Sequence, residues 1–278
     1  MPGLVNGGGG DDDRGMVRRV SPYSGRPGPA LAPRSVLARG LALLDAFDAD
    51  EELRLAELAA RTGLPKPTTH RLLAELVTWG GVERTERGYR LGPALFRLGQ
   101  RVGRHRRLRT VAMPYLEDLY EATHENVHLA VPDGLDTLFI EKLAGRASTP
   151  IMSGVGGTLP AYCTATGKVF LALGGPDRLH ALLSGATGGL RRYTARTLVN
   201  PRRLHRDLTE TAGRGYGINL GEAEDGVVAV AAPVCDGSGG EVIAAISVTG
   251  YVRRLDLRRL TPAVRTAARD LTTRLTTD

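Results

Sequence analysis

The chain contains 278 residues, 42% of them hydrophobic, and carries a formal net charge of +7. That length accommodates one large domain or two smaller ones, and no apolar run reaches the roughly 18 residues of a membrane-spanning helix. The N-terminal residues lack the apolar core of a signal peptide, and the only cysteines are Cys163 and Cys235. We therefore expect a cytoplasmic protein without disulfides.

The N-terminal arm is predicted from composition. Residues 1–34 are rich in Gly, Pro, Asp and Arg and show no apolar period, which is typical of a disordered segment. Ser35 then stands where a helix N-cap is expected, and an acidic loop is predicted at 48–52. The predicted buried face of this first helix comprises Val36, Leu37, Leu41, Leu44 and Phe47.

Residues 55–80 read LAELAARTGLPKPTTHRLLAELVTWG and carry two amphipathic patterns separated by a break. Apolar residues fall at i, i+3 and i+4 from Leu55, as one face of a helix requires. Gly63 ends that helix because glycine adopts a left-handed turn easily, and Pro65 and Pro67 suit the first turn of the next helix. The second apolar face comprises Leu72, Leu73 and Leu76. Two helices joined at such a sharp turn indicate a helix-turn-helix.

A short hairpin is predicted directly after the second helix. Val82 begins one strand, Gly88 lies in the turn, and Tyr89 begins the returning strand. A hairpin in this position is a wing, so residues 35–92 are predicted to form a winged helix-turn-helix domain.

Positive charge is concentrated on this domain and just after it. Between Lys66 and Arg107 there are ten Lys or Arg and three acids, a surplus of seven that equals the net charge of the chain. A surface that follows DNA phosphates needs such a surplus. We predict base contacts from Thr68, Thr69, His70 and Arg71. We predict phosphate contacts from Lys66, Arg84, Arg87 and Arg90.

A linker and a second domain are predicted in the rest of the chain. The apolar period is helical from Pro93 to Arg107, so residues 93–108 are predicted to form one linker helix. Strand-like alternation begins at Val127, after a further helix that ends near Thr123. Later segments are a loop crossing 159–160, a helix capped by Thr164, a helix over 200–213, strands over 227–234 and 241–248, and a helix over 260–275. Residues 109–278 are therefore predicted to form a mixed α/β domain.

Several segments resemble the IclR family of bacterial transcriptional regulators. Along residues 35–275 the matching segments are RGLALLDAF, LAELAARTGLPKPTTHRLLAEL, GYRLG, TGKVFLAL, GRGYGINLGEAEDGVVAVAAPVCD and AAISVTG. The resemblance implies a multidomain α and α+β protein, with an N-terminal winged helix-turn-helix and a C-terminal GAF-like α/β effector-binding domain. It also implies a homodimer or homotetramer whose small-molecule effector changes operator binding.

The resemblance further implies an effector cavity in the second domain. Its candidate contacts are Leu159, Ala165, Thr166, Asn219, Ala229, Ser247 and Thr249. The chemistry supports this, because free N–H groups at a Thr-rich helix start suit a carboxylate or a phosphate, and Ser247 and Thr249 share one face of a strand. The family often has an acid at Asn219, a His at Tyr162 and a Ser at Pro67. The first two departures imply a cavity with less ionisable character.

His124, Glu125 and His128 match HExxH, the pattern of zinc proteases. That chemistry requires both histidines on one face of a helix, with the glutamate activating a zinc-bound water. The helix is predicted to end before this motif, and on a strand the two histidines would lie roughly 13 Å apart. A zinc metalloprotease therefore stays only as an alternative.

Thr166, Gly167 and Lys168 match the end of a P-loop. Tyr162 replaces the glycine that this motif requires, and Val169 replaces the Ser or Thr that holds magnesium. Lys168 is therefore predicted to support the helix start or a domain interface.

These patterns predict a ligand-responsive transcriptional regulator that binds a double-stranded DNA operator. It is predicted to repress a nearby metabolic operon until a small organic-acid-like effector releases it. We predict no catalytic residues, no metal, no cofactor and no membrane partner. The alternatives are an activator of the same family, the protease, and a small-molecule-binding module or enzyme whose helix-turn-helix is only structural.

Overall fold

The structure is a computed structural model that describes residues 35–47, 52–144, 151, 153–185, 189–237 and 240–277. The predicted N-terminal arm (1–34) and residues 48–51 of the predicted acidic loop lie outside the described residues. Along the described ranges, no helix is both long and apolar enough to cross a membrane.

Three helices and a hairpin make up the N-terminal part of the chain. They are α1 (Val36–Asp45), α2 (Leu55–Thr62), α3 (Lys66–Trp79), β1 (Val82–Arg84) and β2 (Tyr89–Leu91). The Ser35 hydroxyl caps α1 by accepting the Ala38 N–H at 3.0 Å. Gly63 ends α2 with a φ of 68°, a left-handed conformation that favours glycine. The predicted winged helix-turn-helix is confirmed.

The face of α1 that enters the core differs from the predicted face. Leu43 is fully buried and Phe47 is nearly so, whereas Val36, Leu37 and Leu41 are exposed by 62%, 73% and 52%. The helix carries apolar residues on two sides, and only the side with Leu43 meets α2 and α3. The prediction that Val36, Leu37 and Leu41 are buried is therefore wrong.

An additional contact fixes the wing to the helices. Leu53 and Tyr89 exchange two backbone hydrogen bonds, both 2.9 Å long, so the chain before α2 lies beside the hairpin. Gly88 permits this approach, because a Cβ there would lie 2.4 Å from the Leu53 carbonyl oxygen. The orientation of the wing is thereby tied to the start of α2.

The linker consists of two helices, and the prediction of one helix over 93–108 is wrong. Helix α4 (Pro93–Gly99) ends before the turn at 100–102, and α5 (Gly103–Thr123) begins after it. The glycines at the two sides of the break weaken a continuous helix. Helix α5 then continues through residue 108 because one stripe packs on the sheet, namely Leu108, Ala112, Leu116 and Leu119.

The C-terminal part is built on a six-stranded sheet in which all neighbouring strands are antiparallel, in the order β5-β4-β3-β8-β7-β6. The strands are β3 (Asn126–Asp133), β4 (Asp136–Leu143), β5 (Thr158–Pro160), β6 (Gly217–Leu220), β7 (Val227–Cys235) and β8 (Val242–Tyr251). The two long strands predicted near the C-terminus are confirmed, whereas the predicted loop at 159–160 is the edge strand β5.

Helices cover both faces of this sheet. Helix α5 and helix α9 (Leu257–Thr277) pack on one face around the largest buried apolar cluster. Helix α6 (Ala165–Leu173) packs on the other face and has α8 (Pro201–Arg214) and α7 (Pro176–Gly185) beside it. Helix α7 was not predicted. The mixed α/β architecture expected for the second domain is confirmed.

Candidate DNA-binding surface and effector cavity

Helix α3 presents part of the predicted base-reading set to solvent. His70 and Arg71 are exposed, Thr68 is half-buried, and Lys66 is exposed at the first turn. Because His70 and Arg71 are adjacent on the side opposite the core, an approaching DNA groove would meet both of them.

Thr69 lies on the opposite side of α3 from this exposed face. Its side chain is fully buried, and its hydroxyl donates to the Pro65 carbonyl oxygen at 3.2 Å. Thr69 stands three, four and seven residues before the apolar positions Leu72, Leu73 and Leu76, so it shares their helical face. The prediction that Thr69 faces the bases is wrong.

The wing has a preformed turn with two exposed arginines. The Thr85 hydroxyl accepts the backbone N–H groups of Arg87 and Gly88 at 3.2 and 3.0 Å, which fixes the turn. Arg84 and Arg87 are exposed. Arg90 is also exposed, but it forms an ion pair with Glu83 across the hairpin at 2.8 Å. Of the predicted wing contacts, Arg90 therefore already has a partner within the chain.

The predicted effector residues surround one cavity between α6 and the sheet. Its empty space is about 420 Å³, part of it open to solvent. All seven predicted residues line it: Leu159, Ala165, Thr166, Asn219, Ala229, Ser247 and Thr249. The lining also contains residues that were not predicted: Phe139, Ile151, Ser153, Thr164, Ala223, Glu224 and Val227. Residues that are far apart in the sequence thus meet at one place.

The start of α6 forms one wall of this cavity. The Thr164 hydroxyl caps the helix by accepting the Gly167 N–H at 3.0 Å, as predicted. First-turn N–H groups have no intrahelical acceptor, so those of Ala165 and Thr166 remain available for an anion. Gly167 lets the preceding turn pack closely, because a Cβ there would lie 2.2 Å from the Ala161 Cα.

Neutral polar groups lie on the other walls among apolar side chains. Ser247 and Thr249 point into the cavity from the same face of β8, as predicted. The Asn219 side-chain oxygen accepts the Glu222 N–H at 2.8 Å, and its amide nitrogen is the donor of that side chain. Tyr162 is absent from the lining, since its hydroxyl donates to the Arg191 carbonyl oxygen at 2.8 Å in a separate cluster.

The HExxH residues do not assemble as a zinc motif. His124 ends α5 in a left-handed conformation with a φ of 54°, and Glu125 forms an ion pair with Arg254 at 2.8 Å. His128 lies within β3, with its ring 2.9 Å from the Ser153 hydroxyl. Throughout the part of the chain that the structure describes, no three His, Cys, Asp or Glu side chains are grouped for a metal. The geometry contradicts the protease alternative.

Two known protein-family models match the N-terminal and C-terminal parts of the chain. Residues 36–86 match the family description "IclR helix-turn-helix domain", and residues 100–273 match "Bacterial transcriptional regulator IclR C-terminal". The chain belongs to the IclR family of transcriptional regulators.

Two curated IclR relatives and one solved IclR structure are similar over most of their length. The Pca regulon regulatory protein of Pseudomonas putida is 32% identical over 92% of this chain and 87% of its own. The transcriptional repressor IclR of Escherichia coli is 34% identical over 88% of this chain and 92% of its own. An IclR homolog of Microbacterium hydrocarbonoxydans, solved with 4-hydroxybenzoate, matches with a TM-score of 0.78 at 31% identity, over 88% of this chain and 100% of that one.

A buried charge network lies behind the candidate effector cavity of this IclR-family chain. Lys168 on α6 is fully buried, and its ammonium lies 2.6 Å from Glu222 and 2.9 Å from Asp207. Burial raises the pKa of Glu222, and the charge of Lys168 opposes that rise. Lys168 therefore joins α6 to α8 and to the loop after β6 that holds Glu222.

Proposed function

We propose that this regulator is a cytoplasmic repressor that binds a pseudo-palindromic operator and is released by a small organic acid. The proposal rests on the pairing of an exposed basic recognition helix with a cavity lined by polar and apolar side chains in one IclR-family chain. The Escherichia coli relative is named a transcriptional repressor, which supports repression as the sign of regulation.

The DNA surface is proposed to combine one base-reading element with one phosphate-binding element. His70 and Arg71 on α3 are the proposed base contacts, with Thr68 at their edge. Lys66, Arg84 and Arg87 are the proposed phosphate contacts, and they set the register of α3 in the groove. Arg90 joins them only if Glu83 releases it.

A dimer or a dimer of dimers is proposed from the apolar residues that the N-terminal part exposes. Helices α1, α4 and the following turn carry large exposed side chains, namely Val36, Leu37, Leu41, Phe96, Leu98 and Val102. Exposed apolar surface of this density favours association with a second copy. Two copies related by a twofold axis would match the two half-sites of a pseudo-palindrome.

The proposed effector is a small organic acid whose carboxylate binds the start of α6. The N–H groups of Ala165 and Thr166 suit an anion, and the neutral side chains of Ser247 and Thr249 suit the remaining polar groups. The Microbacterium relative holds 4-hydroxybenzoate, a monocarboxylic acid, which supports this ligand class.

The proposal is tested with the full chain and the DNA upstream of its own coding sequence. A thermal-shift screen of organic acids identifies ligands, because a compound that binds only the folded state raises the melting temperature. We expect a gel shift on the upstream DNA that such an acid abolishes, and a reporter that is derepressed by the same acid. A reporter that instead requires the protein for expression would make it an activator, and no shift on any upstream fragment would contradict the DNA-binding role.

A further inference from the structure

A buried histidine–serine pair lies at the wall of the effector cavity, outside the set of residues predicted from the sequence. The His128 ring is fully buried, and its Nε2 atom lies 2.9 Å from the Ser153 hydroxyl oxygen. The other ring nitrogen, Nδ1, has no hydrogen-bond partner among the described residues. Buried polar atoms in proteins are usually hydrogen-bonded, so an atom without a partner points to a ligand or a water.

Three cavity-lining residues surround this ring. Ser153 bonds to it, and the Phe139 ring centroid lies 5.3 Å from the centroid of the imidazole. Ser247 stands directly opposite His128 on the neighbouring strand β8. Val127, the residue before His128, belongs to the cluster on the other face of the sheet, so alternation directs His128 to the cavity face.

The pair is uncharged at neutral pH. Burial, with a smaller contribution from the positive charge of Lys142, lowers the pKa of His128 to about 3. A neutral imidazole has one donor and one acceptor, and a serine hydroxyl can donate one hydrogen bond and accept others. The single bond between Ser153 and His128 therefore leaves the hydroxyl with capacity to bond a ligand.

The charged groups near this pair do not favour a second carboxylate on the ligand. Within the described lining, Glu224 is the ionisable side chain, and it is acidic. Lys142 is absent from the lining, since its ammonium donates to the Ser153 carbonyl oxygen at 2.8 Å and interacts electrostatically with Glu224. A second carboxylate on the ligand would thus face an acidic side chain and a neutral pair.

We propose that Ser153, oriented by the neutral His128 ring, is a subsite for an uncharged hydroxyl or carbonyl group of the effector. The subsite rests on the proposed function, which assigns the effector carboxylate to the start of α6. It makes the cavity selective for monocarboxylic acids with a distal hydroxyl or keto group over dicarboxylic acids of the same length. Ser153 is the contacting residue and His128 is a positioning residue.

Calorimetric titration of the full chain with two matched ligand sets tests this subsite. One set is benzoate, 4-hydroxybenzoate and terephthalate, and the other is butyrate, γ-hydroxybutyrate and succinate. In the ligand set whose size matches the cavity, we expect the hydroxy acid to bind more tightly than the unsubstituted acid and the dicarboxylic acid. The expected difference is roughly tenfold, for one neutral hydrogen bond. Ser153→Ala should remove this advantage and leave the affinity for the unsubstituted acid unchanged.

Two further variants separate a specific effect from damage to the fold. His128→Gln should weaken the hydroxy acid in the same selective way, because the side chain that orients Ser153 is changed. Ser184→Ala is the matched control, since it removes an exposed serine hydroxyl 3.4 Å from the His180 ring, and it should change nothing.

The outcomes separate the subsite from the proposed function. A dicarboxylic acid that binds as tightly as its hydroxy partner, or an equal loss for both acids in Ser153→Ala, overturns the subsite and leaves the organic-acid effector intact. Failure of every acid in both sets to bind the wild-type chain overturns the proposed effector class and the subsite together.

Discussion

The recognition helix and the candidate effector cavity differ in whether their charged groups are exposed or buried. On α3 the polar side chains of His70 and Arg71 are exposed to solvent, where salt screens any charge they carry. Around the cavity the described lining residues other than Glu224 are uncharged, while Lys168 and Glu222 form a buried ion pair behind the wall. Exposed charges contribute little to stability, whereas a buried charge that loses its partner destabilises strongly. Substitutions on the exposed face of α3 should therefore change DNA binding alone, and substitutions behind the cavity should change stability first.

The largest expected effect is that of Lys168→Met. It leaves Glu222 and Asp207 as acids without their buried partner, which should lower the free energy of unfolding by about 3–5 kcal/mol. Urea denaturation followed by circular dichroism measures the loss. Arg90→Ala is the matched control, because it removes an exposed ion pair and should cost no more than about 1 kcal/mol. Equal, small losses in both variants would contradict the distinction between buried and exposed charges.

Arg71→Ala should act on DNA binding without acting on stability. We expect a loss of roughly 1–3 kcal/mol on the operator and relaxed sequence choice at one position, with an unchanged urea midpoint. Fluorescence anisotropy with operator and random duplexes measures both affinities. The same loss on both duplexes would show that Arg71 contacts only phosphate.

Arg87→Ala supplies the matched comparison on the wing. It should weaken operator and random DNA equally and reduce the salt dependence of the affinity by about one unit of slope, because one phosphate contact is lost. A selective loss on the operator would instead give the wing a sequence-reading role.

His128 should make stability depend on pH. Its pKa is about 3 in the folded state and 6.5 as a free side chain, so the unfolded state binds one more proton between these values. The free energy of unfolding should therefore fall as pH falls, by about 1 kcal/mol per unit between pH 6 and pH 5, and level off above pH 7. His128→Gln, measured by denaturation at each pH, should lose this slope. A variant that retains the full slope would assign the titration to another group.

Thr69→Val is expected to have the smallest effect. It removes only the hydroxyl that donates to the Pro65 carbonyl oxygen, so stability should change by no more than about 1 kcal/mol. Operator affinity should stay within twofold of wild type, roughly the error of the comparison. A base-specific loss of binding would return Thr69 to the DNA surface.

The sequence alone contains enough information to find the helix-turn-helix, because local rules determine it. Gly63 must end α2, and the apolar spacing within α3 defines its core face. The same spacing places Thr69 on that face, so its burial was predictable from its position three residues before Leu72. The buried face of α1 was not predictable in this way, because the helix has two apolar sides and packing against α2 and α3 selects one of them.

The cavity could be predicted only where the family resemblance supplied residues. That resemblance named seven residues on β5, α6, β6, β7 and β8, and the fold places all of them on one cavity. Ser153 and Phe139 were missed, since Ser153 lies outside any helix or strand and Phe139 has the appearance of an ordinary strand residue. The partners of Lys168 were missed because Asp207 and Glu222 approach it through the fold and not through local spacing.

Occupancy of the cavity is expected to control the DNA-binding surface. This control is tested by operator affinity measured with and without a saturating effector acid, in wild type and in Ser247→Leu. We expect both proteins to bind the operator equally without the acid and the acid to release only the wild type, because the larger Leu side chain fills the cavity. Release of Ser247→Leu at the same acid concentration would show that an acid bound in this cavity does not control DNA binding.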